Sequence, residues 1–294
     1  MFKVPVTYII SSLVTPNDRA RNIVMNEFAA QGEKHIVLSD GLIRQCIQDF
    51  NFVDKLKKEM EENGLTFLDS HAPFGPYYDL NSPYEELRPR MIQYQLLTLE
   101  IAADFDVKTI TFHVGNNHYD DTKNIPIATH IDKIKSALDV LLPHAERLGL
   151  TIGIENIWTG CNTADALLKV KEAFPTDALG FCYDSGHANI TLKDRGTEEN
   201  YAFITWKYTY GNTDVVWQPD LLEKMLPHIV NCHLHDNHGI RDTHLPPGMG
   251  NIDWSHVIPL LNSAPRLQNI QSESEIISVS DLCKRFRGLE EKYT

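Results

Sequence analysis

No stretch of this chain approaches the roughly 20 consecutive apolar residues that a membrane-spanning helix needs. It also has no CxxC pair: its five cysteines, Cys46, Cys161, Cys182, Cys232 and Cys283, are scattered over 294 residues. An odd, unpaired set in a chain of this length argues against a disulfide framework and for a reducing cytoplasm. Cys182 and Cys232 fall within apolar runs, where buried inert thiols are expected. Gly/Ser-rich linkers and low-complexity segments are missing too, so residues 1–294 read as one domain. A glycine-rich phosphate turn after an early strand is absent, which counts against a doubly wound dinucleotide-binding sheet. Positive charge is in short supply: 27 Lys and Arg against 40 Asp and Glu leave a formal net charge of −13. Such a chain has no global attraction for nucleic acid, although a carboxylate-rich site loaded with divalent cations is locally less negative than that count. The opening Met-Phe-Lys-Val-Pro-Val-Thr-Tyr-Ile-Ile lacks a long apolar core and a small-residue cleavage site. It reads as a first strand, not as a signal peptide.

What the chain does have is alternation. Apolar, β-branched runs at Val4–Ile10, His35–Ser39, Thr66–His71, Thr109–Val114, Thr151–Glu155, Leu179–Asp184, Ile229–His233 and Leu267–Glu273 read as strands. Helical patterns separate them at Pro16–Gln31, Leu42–Asn63, Pro83–Phe105, Ile127–Leu148, Thr163–Phe174, Asp253–Asn262 and Ser280–Lys292. Gly32, Gly64 and Gly149 stand where helices should stop. The sixth connection is longer, with one helical stretch at Gln218–Met225. Eight strand–helix units predict an α/β fold, a (β/α)8 TIM barrel, with catalysis at the C-terminal ends of its strands.

Acids and histidines mark those ends. His71, His113, Glu155, Asp184, His233 and Glu273 recur roughly 30 to 50 residues apart, joined by Asp184-Ser-Gly-His187 and Asp242-Thr-His244. Imidazole with carboxylate is the ligand set of Zn, Mn, Fe or Co. A carboxylate such as Glu155, ending an apolar strand, costs several kcal/mol unless paired or metal-bound. His233 and His235 alternate at period two and share one side of the strand; His233 is the expected ligand and His235 its support. Glu275 competes with Glu273 for the eighth strand end, and Glu273 is preferred. His130, His144 and His256 on predicted helices, and His118 and His238 in loops, are expected on solvated faces. His35 and His228, which flank strands, are expected to be structural. Phe74, Trp158, Arg241 and Trp254 are candidates for shaping a pocket.

Three segments, Asp184-Ser-Gly-His187-Ala-Asn, His233-Leu-His-Asp-Asn and His244-Leu-Pro-Pro-Gly-Met-Gly-Asn-Ile-Asp-Trp, resemble the xylose isomerase-like TIM-barrel superfamily. That group holds sugar isomerases, sugar 3-epimerases and endonuclease IV. The resemblance to the epimerases implies one metal on Glu155, Asp184, His233 and Glu273, with His187 touching substrate. Glu155 and Glu273 would then move protons on a sugar or sugar phosphate. The resemblance to endonuclease IV implies three metals. His71, His113 and Glu155 would hold the first, and Glu155 with Asp184, His233 and Glu273 the second. His187, Asp242 and His244 would hold the third, with abasic DNA as substrate. The family's DNA-penetrating loops are not matched: Ser39-Asp40-Gly41-Leu42 and Phe74-Gly75-Pro76-Tyr77-Tyr78-Asp79 are not basic. The expectation is therefore a metal-dependent sugar isomerase or epimerase with one to three divalent ions. Abasic-site endonuclease is the alternative, and a metal-stabilised, non-catalytic binding protein is a third class.

Overall fold

Parallel strands need long crossovers, and here each strand is followed by helix until the sheet closes on itself. The structure is a computed structural model that describes residues 2–12, 14–115, 123–211, 214–274 and 278–294. Its strands are β1 (Val6–Tyr8), β2 (His35–Leu38), β3 (Thr66–His71), β4 (Thr109–Phe112), β5 (Thr151–Glu155), β6 (Leu179–Asp184), β7 (Ile229–Leu234) and β8 (Asn269–Ser272). They pair in sequence order, all parallel, and β8 returns to β1 to form a single (β/α)8 barrel. The register sets Asp184 beside His233 and His71 beside Thr111, so distant acids and imidazoles reach the same height.

Around the barrel lie α1 (Asp18–Ala30), α2 (Asp40–Gln48), α3 (Asn51–Asn63), α4 (Arg88–Asp104), α5 (Ile127–Leu148), α6 (Ala164–Ala173), α7 (Ser185–Thr191), α8 (Tyr201–Tyr210), α9 (Leu221–Met225), α10 (Trp254–Ser263) and α11 (Val279–Tyr293). Gly64 and Gly149 end α3 and α5 in left-handed conformation, with φ of 64° and 72°, where a side chain would be strained. The second predicted helix is in fact two, α2 and α3. The chain turns extended at Asp49, whose carboxylate accepts the Asn51 amide and restarts the helix. The third, observed as α4, begins at Arg88 instead of Pro83, because Tyr84 is not helical and only a 3-10 turn intervenes. Two helices in the sixth connection, α7 and α8, escaped prediction altogether.

Period-two alternation divides each strand between two environments. Ile152, Ile154, Ile110, Phe181 and Ile270 join the apolar layer under the helices. The barrel interior is polar instead of being filled by branched apolar side chains. Asp69 Oδ1 accepts the Thr109 hydroxyl at 2.5 Å, and Asn231 Nδ2 donates to Thr111 Oγ1 at 2.7 Å and to both Asp69 oxygens. Asn269 Nδ2 donates to Thr109 Oγ1 at 2.6 Å. Thr111 Oγ1 also hydrogen-bonds His233 Nε2 at 3.1 Å, so this column ends on a candidate ligand and fixes its ring. All five cysteines are buried and unbridged, and burial pushes the Cys182 thiol up to about 12.

Candidate metal centre and substrate cavity

Strand ends deliver the donors to one place. His71, Glu155 and Asp184 close β3, β5 and β6, and His233 lies one residue from the end of β7. His113 and Glu273 stand one residue past β4 and β8. Asp184 also caps α7, its Oδ1 accepting the His187 amide at 2.6 Å. Asp242 and His244 come from the loop after β7. Glu275 and His118 lie outside the described residues.

Glu155 is the hub. Its Oε2 is 3.1 Å from His113 Nε2 and 3.7 Å from His71 Nε2, while its Oε1 is 3.2 Å from His187 Nδ1 and 3.4 Å from His233 Nδ1. Burial pushes this carboxyl up, but the imidazoles of His233 and His113 outweigh it and hold it well below the usual carboxylate range. His233 Nδ1 is also 3.1 Å from Glu273 Oε2 and 3.9 Å from Asp184 Oδ2. Burial lowers its pKa, yet Cys182, Glu273 and Glu155 carry it well above the ordinary histidine value. On the other flank Asp242 Oδ2 lies 3.3 Å from His187 Nε2 and 3.0 Å from His244 Nε2. His244, desolvated but facing Asp242, is raised to about 10.

The residues present fit divalent ions. Both Glu155 carboxylate oxygens, His233 Nδ1 and Asp242 Oδ1 are buried without a hydrogen bond of good geometry, an expensive condition unless a cation satisfies them. The imidazoles are held as ligands usually are, with the second ring nitrogen parked on a fixed group. His71 Nδ1 is 2.8 Å from Ala72 O, His187 Nδ1 2.9 Å from Asn156 O and His244 Nδ1 2.7 Å from Glu273 O. Among the described residues, donor atoms fall into three groups, each within 4.8 Å: His71, Glu155 and His233; Glu155, Asp184, His233 and Glu273; His187, His235, Asp242 and His244. His113 stays outside these groups despite its contact with Glu155. His235 belongs to the last group, although its place in the strand suggested only a supporting role.

Above these donors opens a cavity of about 530 Å³. His71, His113, Glu155, His187, Asp242, His244 and Glu273 line one side. Phe74, Ile157, Trp158, Tyr201, Ile204 and Thr205 line the rest, with no Lys or Arg among the described lining residues. Trp158 is fixed from both ends: its Nε1 donates to Thr205 Oγ1 at 3.1 Å, and its carbonyl accepts Trp206 Nε1 at 3.1 Å. The α8 contribution went unseen in the sequence. Two of the pocket candidates fall elsewhere: Trp254 is buried and donates to Asp236, and exposed Arg241 pairs with Glu199. His130 is also misplaced by the reading of its helix, being fully buried instead of solvated.

Residues 34–276 match the sequence profile described as xylose isomerase-like TIM barrel. The chain belongs to that family. An uncharacterized protein of Methanocaldococcus jannaschii is 28% identical over 197 residues, which cover 65% of this chain and 58% of the relative. The match thus spans little more than half of that relative's length. Among solved structures, a D-tagatose 3-epimerase-like protein superposes with a TM-score of 0.74 at 20% identity, covering 97% of each chain. The IolI protein with a bound zinc atom superposes with a TM-score of 0.70 at 14% identity, covering 99% of each. At these identities the superpositions establish a shared barrel.

Proposed function

We propose that this protein is a divalent-metal-dependent isomerase or epimerase of a small sugar. The carrying observation is the pairing of Glu155 and Glu273 about His233 at the floor of a cavity whose walls are aromatic and aliphatic. Glu155, Asp184, His233 and Glu273 would hold the ion central to the reaction. When bound, it supplies Lewis-acid polarisation of a carbonyl and its neighbouring hydroxyl. Glu155 and Glu273 both have pKa values depressed by facing imidazoles, so each is a carboxylate ready to accept a proton from carbon and return it. His187 lines the cavity beside Glu155, where a bound substrate would lie against its ring. Trp158, edge-on to His187 with ring centroids 4.9 Å apart, offers a flat face to the C–H side of a sugar ring. The epimerase-like neighbour supports this reading, and the zinc-bound neighbour supports the metal.

The test is solvent exchange. Protein replete with zinc, manganese or cobalt, incubated in deuterated water with a panel of ketoses and aldoses, should place deuterium at a sugar carbon. Glu155→Gln and Glu273→Gln should each lower that exchange by roughly 100-fold or more, as expected for loss of a general acid–base group. Absence of exchange across the panel sinks the proposal.

The number of donors favours a second reading, phosphodiester cleavage at abasic DNA sites, because three groups of ligands exceed what one sugar-binding ion needs. The cavity's lack of Lys and Arg, together with the net charge of −13, weighs against a polyanion. Cleavage of an abasic-site oligonucleotide by the metal-replete protein would reverse the ranking.

A further inference from the structure

The loop that follows β3 brings Phe74 to the cavity wall, and a buried amide grips both of its stems. Gln95, on α4, is 1% exposed, and its Nε2 donates to the Pro73 carbonyl and to the Tyr78 carbonyl, each at 2.9 Å. An amide nitrogen has two hydrogens, so each stem receives one. The Gln95 Oε1 is buried without a hydrogen-bond partner, which costs stability. Turning the amide over would set that oxygen against two carbonyl oxygens instead. What the arrangement secures is closure of the loop. We propose that Gln95, with Arg44 as a second anchor, is a positioning residue that holds the Phe74 ring over the candidate ligands His71 and His113.

Phe74 lines the cavity and is 42% exposed. With so much of the ring open, apolar burial fixes it only weakly, and the backbone has to do the rest. Gly75 beside it has a φ of 110°, a setting that glycine takes readily. The Gly75 amide donates to Asp79 Oδ1 at 2.8 Å, and its carbonyl accepts the Tyr78 and Asp79 amides at 2.9 Å each. From α2, Arg44 Nη2 donates to the Phe74 carbonyl at 3.1 Å, while its guanidinium lies 4.4 Å from the Tyr78 ring centroid. Asp40 Oδ2, 3.3 Å from Arg44 Nε, steadies that side chain.

Held this way, the Phe74 centroid lies 4.5 Å from that of His113, with planes 32° apart, and 5.3 Å from that of His71, edge-on at 70°. Both imidazoles face Glu155 Oε2, at 3.1 and 3.7 Å. The ring therefore shields one side of the donor set from solvent and presents its free face to whatever enters the cavity. Among the described residues α4 contributes none to the cavity lining, yet through Gln95 it sets one of the walls. Gln95 touches neither donors nor cavity, so its effect passes through Phe74. That role rests on the reading of the cavity as a metal and sugar site, but the loop and its hold on the metal can be followed without a sugar.

Gln95→Met removes both donors at similar bulk, and Phe74→Ala removes the ring. In zinc-loaded Gln95→Met, amide exchange followed by mass spectrometry should quicken in residues 73–80 by roughly tenfold, leaving the barrel strands as in the parent. Zinc transfer to excess chelator should quicken by about tenfold in Gln95→Met and in Phe74→Ala, and no further in the double variant, as for residues acting as one unit. With any sugar that takes up deuterium, both variants should raise KM and leave kcat nearly unchanged. Arg44→Ala, altered at a partly exposed position, should show the same pattern more weakly, and it decides if Gln95→Met is insoluble. A lowered unfolding midpoint with parental exchange in 73–80 and parental zinc transfer overturns the assignment. So does a double variant in which the two single effects multiply. Failure of the sugar reading would appear separately, as a parent protein that places no deuterium in any sugar, while zinc transfer and amide exchange still report on the clasp.

Discussion

His130 lies in α5 with none of its surface exposed, its Nδ1 3.0 Å from Asn81 Nδ2 and its Nε2 without a partner. Burial lowers its pKa to about 4. A histidine buried neutral contributes stability that is whole above its unfolded value near 6.5. That contribution drains away as pH falls through the folded value, up to about 3 kcal/mol in all. Thermal unfolding of the parent should therefore weaken between pH 6.5 and pH 4 more steeply than that of His130→Gln. Equal slopes in that window would refute the account. On an isolated helix the same residue looks like a solvated face, since the neighbour that buries it, Asn81, is 49 positions away. His235 was under-read for a related reason: alternation places it beside His233, but only the return of the loop carrying Asp242 and His244 gives it companions. Glu155, in contrast, is conspicuous in sequence, because a carboxylate closing an apolar strand demands a cation wherever the rest of the chain goes.

Elements differ in how openly they declare themselves. β3, β5 and β6 have the bounds their apolar runs suggest, because each run stops at a donor where the strand meets the mouth. The helix α8 does not. Its buried positions, Ala202, Thr205, Trp206 and Thr209, follow helical spacing, but two are threonines, so no apolar stripe shows. Trp206, with Ile190 and Ala202, forms a small cluster separate from the main core, and its indole also holds the Trp158 carbonyl. Truncating a buried aromatic costs about 3–5 kcal/mol. Since this cluster is detached, Trp206→Ala should loosen α8 and the Trp158 wall without unfolding the barrel. Faster amide exchange confined to α8 and its neighbours is the expected signature, with a roughly tenfold rise in KM and little change in kcat, the pattern of lost uniform binding. Loss of bound metal in this variant would contradict the division between wall and floor.

At the scale of the whole molecule the candidate ligands join elements far apart in sequence, with β3, β5, β6, β7 and the residue after β8 all contributing donors to one end of the barrel. The closing geometry that makes this so was foreseeable from the strand–helix alternation, whereas the polar column beneath it was not. Asp69, Thr109, Asn231 and Asn269 look like polar interruptions of apolar runs until closure sets them face to face. Carboxylates gathered at the mouth repel one another and are offset, without metal, by protonated imidazoles such as His233 and His187, whose pKa values lie well above the ordinary one. A divalent ion replaces those protons and binds the folded state alone, so it stabilises by mass action, by about 2.7 kcal/mol at 100 times its dissociation constant. For a chain of this size that corresponds to roughly 5–10 °C in the unfolding midpoint. Exhaustive chelation should lower the midpoint by at least that much, zinc should restore it, and loading a weakly buffered metal-free sample should release protons. The proton release should persist through pH 9 and fall only as pH passes about 10, where His244 has already given up its own proton. A midpoint indifferent to chelator, or loading without a pH change, would mean that the ion pairs among these residues are the finished structure and not a site awaiting its cation.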